Sequence, residues 1–204
     1  FLSGNGPLVE VLRDALKSKA FVSDLHAFIK SYGTTSKIPK QHIIVFDEAQ
    51  RAWDARYMKE KKNVERSEPE LLISIGERIE NWATMVGLIG EGQEIHSGEE
   101  AGIQQWRDAV SHASNTKTWS IHCPPKLKDK FQGLQVTAHE EVDLNVTLRS
   151  KRAEDLHEWV RLLLAGKLKS AHQQAVKIRY AQYPIYVTRN IDEAKQYARQ
   201  RFSE

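Results

Sequence analysis

The segment Ile43-Ile44-Val45-Phe46-Asp47-Glu48-Ala49-Gln50 carries the densest chemistry in the chain. Its apolar run predicts a buried strand that ends in two carboxylates. The carboxyl end of such a strand is the edge where open α/β sheets bind ligands. There Asp47 has the chemistry to hold Mg²⁺ against phosphates, directly or through water. Glu48 can orient an attacking water or accept its proton. A second cluster, Gly87-Leu88-Ile89-Gly90-Glu91-Gly92-Gln93, reads as a strand end, a glycine-rich turn and a polar side chain. A third, Ser3-Gly4-Asn5-Gly6-Pro7, places small residues before a helix, whose backbone N–H groups suit phosphate contacts. Arg149-Ser150 forms a fourth, an arginine at a helix start.

Positioning these groups requires strands alternating with amphipathic helices, an α/β protein with a mostly parallel sheet. Phe1-Leu2-Ser3 reads as a strand already under way, so the chain is expected to be a fragment that continues upstream. Pro7 opens a helix with Leu8, Leu12, Ala15 and Leu16 at helical spacing. A short helix is expected over 21–30, then a loop at Gly33-Thr34-Thr35-Ser36. Strands are expected at 42–46, 85–89, 119–123, 134–138 and 142–148. The mixed charges of 56–70 read as a solvated helix and loop. Ser97 with Glu100 has the spacing of a capping box before Ile103, Trp106 and Val110. Ser150 caps a helix with Leu156, Trp159, Val160 and Leu163 on its apolar face. A more polar helix covers 167–180, then a strand at 184–188 and a last helix capped by Asn190 with Glu193.

Composition narrows the function classes. With 40% hydrophobic and 28% charged residues in 204, the chain can bury a core. A net charge of +3 is too small to argue for nucleic acid or an acidic membrane. A single cysteine excludes a disulfide framework and a Cys-rich zinc fold, and makes a cytoplasmic setting the default. No apolar run reaches the ~18 residues of a membrane span. His96, His112, His122, His139 and His157 show no ligand spacing such as H-E-x-x-H. Cys123, before Pro124-Pro125, reads as a buried structural thiol, and Arg51, Trp53 and Trp106 as packing and ion-pair residues. Lys59, Lys61 and Lys62 read as a solvated face, and Lys167, Lys169, Lys177 and Arg179 as a candidate nucleic-acid track.

The apolar run with D-E-A-Q at 47–50 resembles the Walker B element and motif II of superfamily 1 and 2 helicases. G-L-I-G-E-G-Q at 87–93 resembles helicase motif III, with Glu91 where Asp is usual and one residue fewer before Gln93. F-L-S-G-N-G-P-L at 1–8 resembles motif Ia, and L-N-V-T-L-R-S at 144–150 resembles motif IV with Thr147 in place of Asn. Together with V-F-D-E-A-Q-R-A-W at 45–53, G-L-I-G-E-G-Q-E-I-H-S-G-E-E-A-G at 87–102 and Y-P-I-Y-V-T-R at 183–189, the chain is similar to a bacterial P-loop family with a Schlafen-type DNA/RNA helicase domain.

That resemblance implies a three-layer RecA-like P-loop NTPase core, incomplete at its N-terminus. Residues 1–150 would form the first RecA-like domain, 151–180 bridging helices, and 181–204 the first strand and helix of a second RecA-like domain. It implies an ATP-dependent DNA or RNA helicase or translocase, with ATP and Mg²⁺ bound in the parent protein. Asp47 would hold Mg²⁺, Glu48 would activate water, and Gln50 and Gln93 would sense the γ-phosphate. Arg149 would neutralise developing charge, and Ser3, Gly4, Asn5, Gly6 and Pro7 would touch nucleic-acid phosphates. No G-x-x-x-x-G-K-[ST] occurs in the chain, so no cofactor is expected to bind it tightly and no hydrolysis by this chain alone. Two rivals stand beside this reading: a regulatory P-loop module that recruits a protein partner, and a nuclease-associated defence ATPase.

Overall fold

The computed structural model describes residues 1–90, 102–114, 119–144, 154–180, 186 and 188–202. The chain divides into two compact units, Phe1–Asp143 and Leu144–Glu204.

In the first unit, β1 (Leu2–Ser3) leads through Asn5 into α1 (Gly6–Ala15). Asn5 caps this helix, its Oδ1 accepting from Leu8 N at 3.3 Å, and Pro7 sits in the first turn where its missing N–H costs nothing. Val9 is the buried residue of α1, while Leu16 is 56% exposed, which removes it from the expected apolar face. The expected 21–30 helix is instead a two-residue strand β2 (Ser23–Asp24), then α2 (Leu25–Phe28) and a π-turn at Ile29–Gly33. Asp24 Oδ1 accepts from Ala27 N at 2.8 Å, so α2 starts at Leu25 and not at Phe21.

Next come β3 (Ile43–Phe46), a 3₁₀ turn at Ala49–Arg51, α3 (Ala55–Lys62), α4 (Glu68–Arg78) and β4 (Thr84–Gly87). Ser67 and Glu70 close a reciprocal capping box on α4, with Ser67 N to Glu70 Oε2 at 2.7 Å and Glu70 N to Ser67 Oγ at 3.2 Å. The expected solvated stretch at 56–70 therefore ends inside the core, because Glu68 and Pro69 open α4 buried. α5 (Gln104–Ser111) carries the expected Trp106 inward, whereas Ser97 and Glu100 lie outside the described residues. β5 (Ile121–Cys123) and β6 (Val136–Ala138) form a separate parallel pair joined through a 3₁₀ segment at Pro125–Phe131. Val142 ends a 3₁₀ turn at Glu140–Val142, and 145–148 of the strand expected there lie outside the described residues.

The main sheet has the order β2-β1-β3-β4 with every pairing parallel. The chain moves from β1 to β2 on one side, then to β3 on the other. The carboxyl ends of β1 and β3 thus flank a topological switch point, the usual ligand crevice of open α/β sheets. Ile44 and Phe46 of β3 point into a core shared with Leu71, Leu72 and Ile75 of α4 and Trp106 of α5. Each such fully buried side chain contributes about 2 kcal/mol. On the opposite face, the register sets Ile43 beside Thr84 and Val45 beside Val86, and Ile43 is 56% exposed.

The second unit contains α6 (Glu154–Leu164), α7 (Leu168–Tyr180) and α8 (Ile191–Phe202). Gly166, at φ +68°, ends α6: its N–H reaches Leu163 O and Lys167 N reaches Leu162 O, both about 3 Å, a Schellman closure. Leu162, Ala171 and Ile178 bury in this unit, and Gln174 Nε2 donates to Asp155 Oδ1 at 2.6 Å. Val160 and Leu163 are partly exposed instead of lining a buried face. Asn190 Oδ1 accepts from Asp192 N at 2.9 Å, while Glu193 bonds the Thr188 hydroxyl at 2.8 Å.

Candidate functional site

The carboxyl end of β3 is held from several sides. Asp47 N donates to Leu2 O at 2.9 Å, continuing the β1–β3 ladder, and Ala49 N donates to Leu88 O at 2.8 Å. Between them Glu48 takes a left-handed backbone, φ 53° and ψ 46°, which reverses the chain into the Ala49–Arg51 turn. Trp106 Nε1 donates to Ala49 O at 2.8 Å, and Gln105 Nε2 donates to Ala52 O, so α5 clamps both ends of that turn. Gln50 is 1% exposed, and its Oε1 accepts from Gly90 N at 3.0 Å.

Glu68, at the first turn of α4, fixes the next stretch. Its backbone N donates to Trp53 O at 3.0 Å and its Oε2 accepts from Trp53 N at 2.9 Å. A carboxylate at a helix N-terminus is favoured by the helix dipole, which helps a side chain only 1% exposed. His26 Nδ1 lies 3.1 Å from Glu68 Oε1, and the His26 ring packs on Trp53 at 4.3 Å between centroids. Trp53 in turn meets Tyr57 edge-on at 4.8 Å.

These groups surround one cleft of about 350 Å³ at the switch point. Gly4 and Asn5 after β1, Asp47 and Glu48 after β3, and His26 and Glu68 form its walls. The structure therefore brings Asp47, Glu48, Gly4 and Asn5 together. Ser3 is 2% exposed, and its Oγ accepts from Asn5 N at 3.2 Å, so it shapes the loop from within. Gly6 and Pro7 are exposed in the first turn of α1. Gln50 is buried and is not among the residues that line the cleft. Gln93 and Arg149 lie outside the described residues.

Glu48 Oε2 is paired with Arg51 Nη1 at 2.8 Å, an ion pair among partly exposed groups. Trp106 packs on Phe46 at 5.8 Å, in line with the packing role expected of it. Lys61 pairs with Glu60 and Lys59 with Glu65, all exposed, as a solvated face would be. Among the described residues, no group of three or more His, Cys, Asp or Glu side chains is gathered as for a metal ion. His122 and His139 nevertheless meet across β5 and β6, with Nδ1 and Nε2 2.9 Å apart. No described helix is long and apolar enough to cross a membrane.

Sequence reasoning missed His26 and Glu68. Their partner Trp53 lies far from both along the chain, and Glu68 sat in a run that read as solvated. The S-E-P-E capping pattern at 67–70 was the available signal, since it marks a helix whose first turn had to face something.

Searches of curated proteins and of solved structures return no match. A family model described as Schlafen group 3, DNA/RNA helicase domain, matches residues 1–204. With its D-E-A-Q turn and small-residue loop gathered at one edge of a parallel sheet, the chain belongs to the Schlafen group 3 DNA/RNA helicase domain family.

Proposed function

We propose that this chain is part of an ATP-dependent DNA or RNA helicase or translocase built on a RecA-like P-loop fold. One observation carries the reading: Asp47 and Glu48 share a cleft with the Gly4–Asn5 loop at the switch point of a parallel sheet. The carboxylates that would serve nucleotide hydrolysis thereby lie beside the loop that would touch a nucleic-acid backbone. The cleft residues fit the implied ion. Mg²⁺ is commonly held through one or two carboxylates plus phosphates and water, so Asp47 with Glu48 near it suffices. When bound, Mg²⁺ supplies positive charge to phosphate oxygens.

In this reading Glu48 orients the attacking water once it leaves Arg51, and Arg51 keeps it in place beforehand. Gln50 and Gln93 sense the γ-phosphate. Support for Gln50 is its Nε2, buried with no hydrogen-bond partner among the described residues. Arg149 neutralises developing charge, and residues 3–7 contact nucleic-acid phosphates. The phosphate cradle belongs on a further strand and helix beside β4, which would also cover the exposed Ile43 and Val86.

The test is ATP turnover by the full-length protein with and without single-stranded nucleic acid. Stimulation that falls steeply with salt, and loss of turnover in Glu48→Gln, is the expected result. A response flat to both DNA and RNA would favour the regulatory module. Magnesium-dependent turnover by residues 1–204 alone, abolished in Glu48→Gln, would overturn the assignment of the cradle to another segment.

A further inference from the structure

Two imidazoles meet on the outer face of the β5–β6 pair. The parallel register sets Ile121 beside Val136, His122 beside Thr137 and Cys123 beside Ala138. Side chains alternate across a strand, so Cys123 turns into the core with Leu127 and Phe131 while His122 turns outward and is exposed. His139 follows β6 and returns to the face of Thr137. Its backbone N donates to Cys123 O at 2.9 Å, which carries the ladder through this position. His122 Nδ1 thereby stands 2.9 Å from His139 Nε2, with the rings stacked at 5.1 Å between centroids. Neither residue lines the cleft at the switch point.

That spacing suits a chelate. Imidazole nitrogen binds first-row cations at about 2.0–2.1 Å, so two such bonds at a right angle span about 2.9 Å, and at the tetrahedral angle about 3.3–3.4 Å. The right angle belongs to tetragonal and square-planar sites, the geometry of Cu(II) and Ni(II), whereas zinc is tetrahedral. Ser120 Oγ lies 3.5 Å from His122 Nε2, in reach of the N–H that remains there when Nδ1 takes a cation. Without a cation the facing nitrogens share one proton as a hydrogen bond, which between exposed groups adds little over bonds to water. The backbone ladder, and not that bond, sets the spacing. A clip across the pair also has something to hold. β5 and β6 have three residues each and form a two-stranded sheet, which is marginal by itself.

We propose that His122 and His139 form a two-nitrogen site for Cu(II) or Ni(II) that pins β5 to β6, with water completing the coordination. Mg²⁺ does not compete there, because it takes oxygen donors. The site is separate from the carboxylate cleft and stands whether or not the chain turns over nucleotide.

Calorimetric titration of untagged residues 1–204 with nickel, zinc and magnesium chlorides tests it. Nickel binds one-to-one and more tightly than zinc, and magnesium gives no heat at this site. His122→Gln and His139→Gln each weaken nickel binding by about 100-fold, the gain that joining two weak contacts supplies. Nickel also slows amide exchange at His139, whose N–H bonds Cys123 O across the pair. Electron paramagnetic resonance of the unsubstituted chain with one equivalent of Cu(II) needs no variant, and shows splitting from two nitrogens. Splitting from one nitrogen, or from none, overturns the chelate. Nickel titrations alike in the unsubstituted chain and both variants identify adventitious binding at other histidines and overturn the site. Zinc binding as tightly as nickel overturns the right-angle geometry.

Discussion

The Gln50 side-chain oxygen accepts a hydrogen bond from the Gly90 backbone amide at 3.0 Å, tying the D-E-A-Q turn to the chain just beyond β4. The two carboxylates and the backbone at Gly90 are therefore mechanically joined through one buried amide. Gln50→Ala leaves the Gly90 N–H without its partner. The expected cost is about 1–3 kcal/mol, read as a lower urea midpoint with unchanged slope. Amide hydrogen exchange at Gly90 and Leu88 should accelerate by more than the global loss of stability accounts for.

Gly76 and Trp119 form a tight pair. A Cβ on Gly76 would stand 2.8 Å from Trp119 Cη2 and 3.1 Å from Cζ2. Alanine gains roughly 1 kcal/mol of helix propensity in α4, but overpacking costs about 1–3 kcal/mol. Gly76→Ala is expected to be destabilising on balance. In Trp119→Phe the ring is smaller and the buried Nε1, which has no partner among the described residues, is gone. The double variant should then be more stable than the two single losses add up to, and simple additivity in a thermal-melt cycle would count against the clash.

Ser67 closes the capping box of α4, the helix that presents Glu68 to the cleft. Ser67→Ala should cost about 1 kcal/mol. Ser67→Asp should retain most of it, because aspartate is as good an N-cap. Circular-dichroism melts of the two variants separate loss of the cap from loss of the side chain as such.

Burial pushes the Cys123 thiol above its ordinary value, with Lys128 opposing in part. The folded state therefore holds the proton more tightly than the unfolded state. The linked stability is complete below about pH 8.5, the usual thiol value, and is lost as pH rises through the folded one. The native chain should react slowly with a thiol reagent near pH 8 and rapidly once unfolded in urea. Equal rates in the two states would contradict the burial seen at β5.

Strand β3 was legible in the sequence because β-branched apolar residues run straight into two acids. The α5 helix was legible through Trp106, and the α6–α7 break follows from Gly166. β2 was not, because Ser23 and Asp24 are polar, form a two-residue strand, and precede α2 without a break. The expected apolar face of α6 failed at Val160 and Leu163, since helical spacing says which residues share a face and not what covers it. Asp47 and Glu48 stood out by type and position, and both line the cleft. His26 and Glu68 did not, since their meeting at 3.1 Å depends on α2 and α4 arriving at one crevice from separate parts of the chain.

Glu48 is a non-glycine residue at φ 53°, a backbone that costs about 1–3 kcal/mol and that the surrounding clamps enforce. A glycine there would relax the turn and raise stability while deleting the carboxylate. Selection for robustness alone would thus drift toward glycine at this position, and a charged side chain in that conformation is a trade of folding energy against use. On the hydrolytic role proposed for Glu48, the residue at this position among relatives of this chain would separate copies that turn over nucleotide from copies that have kept only the fold.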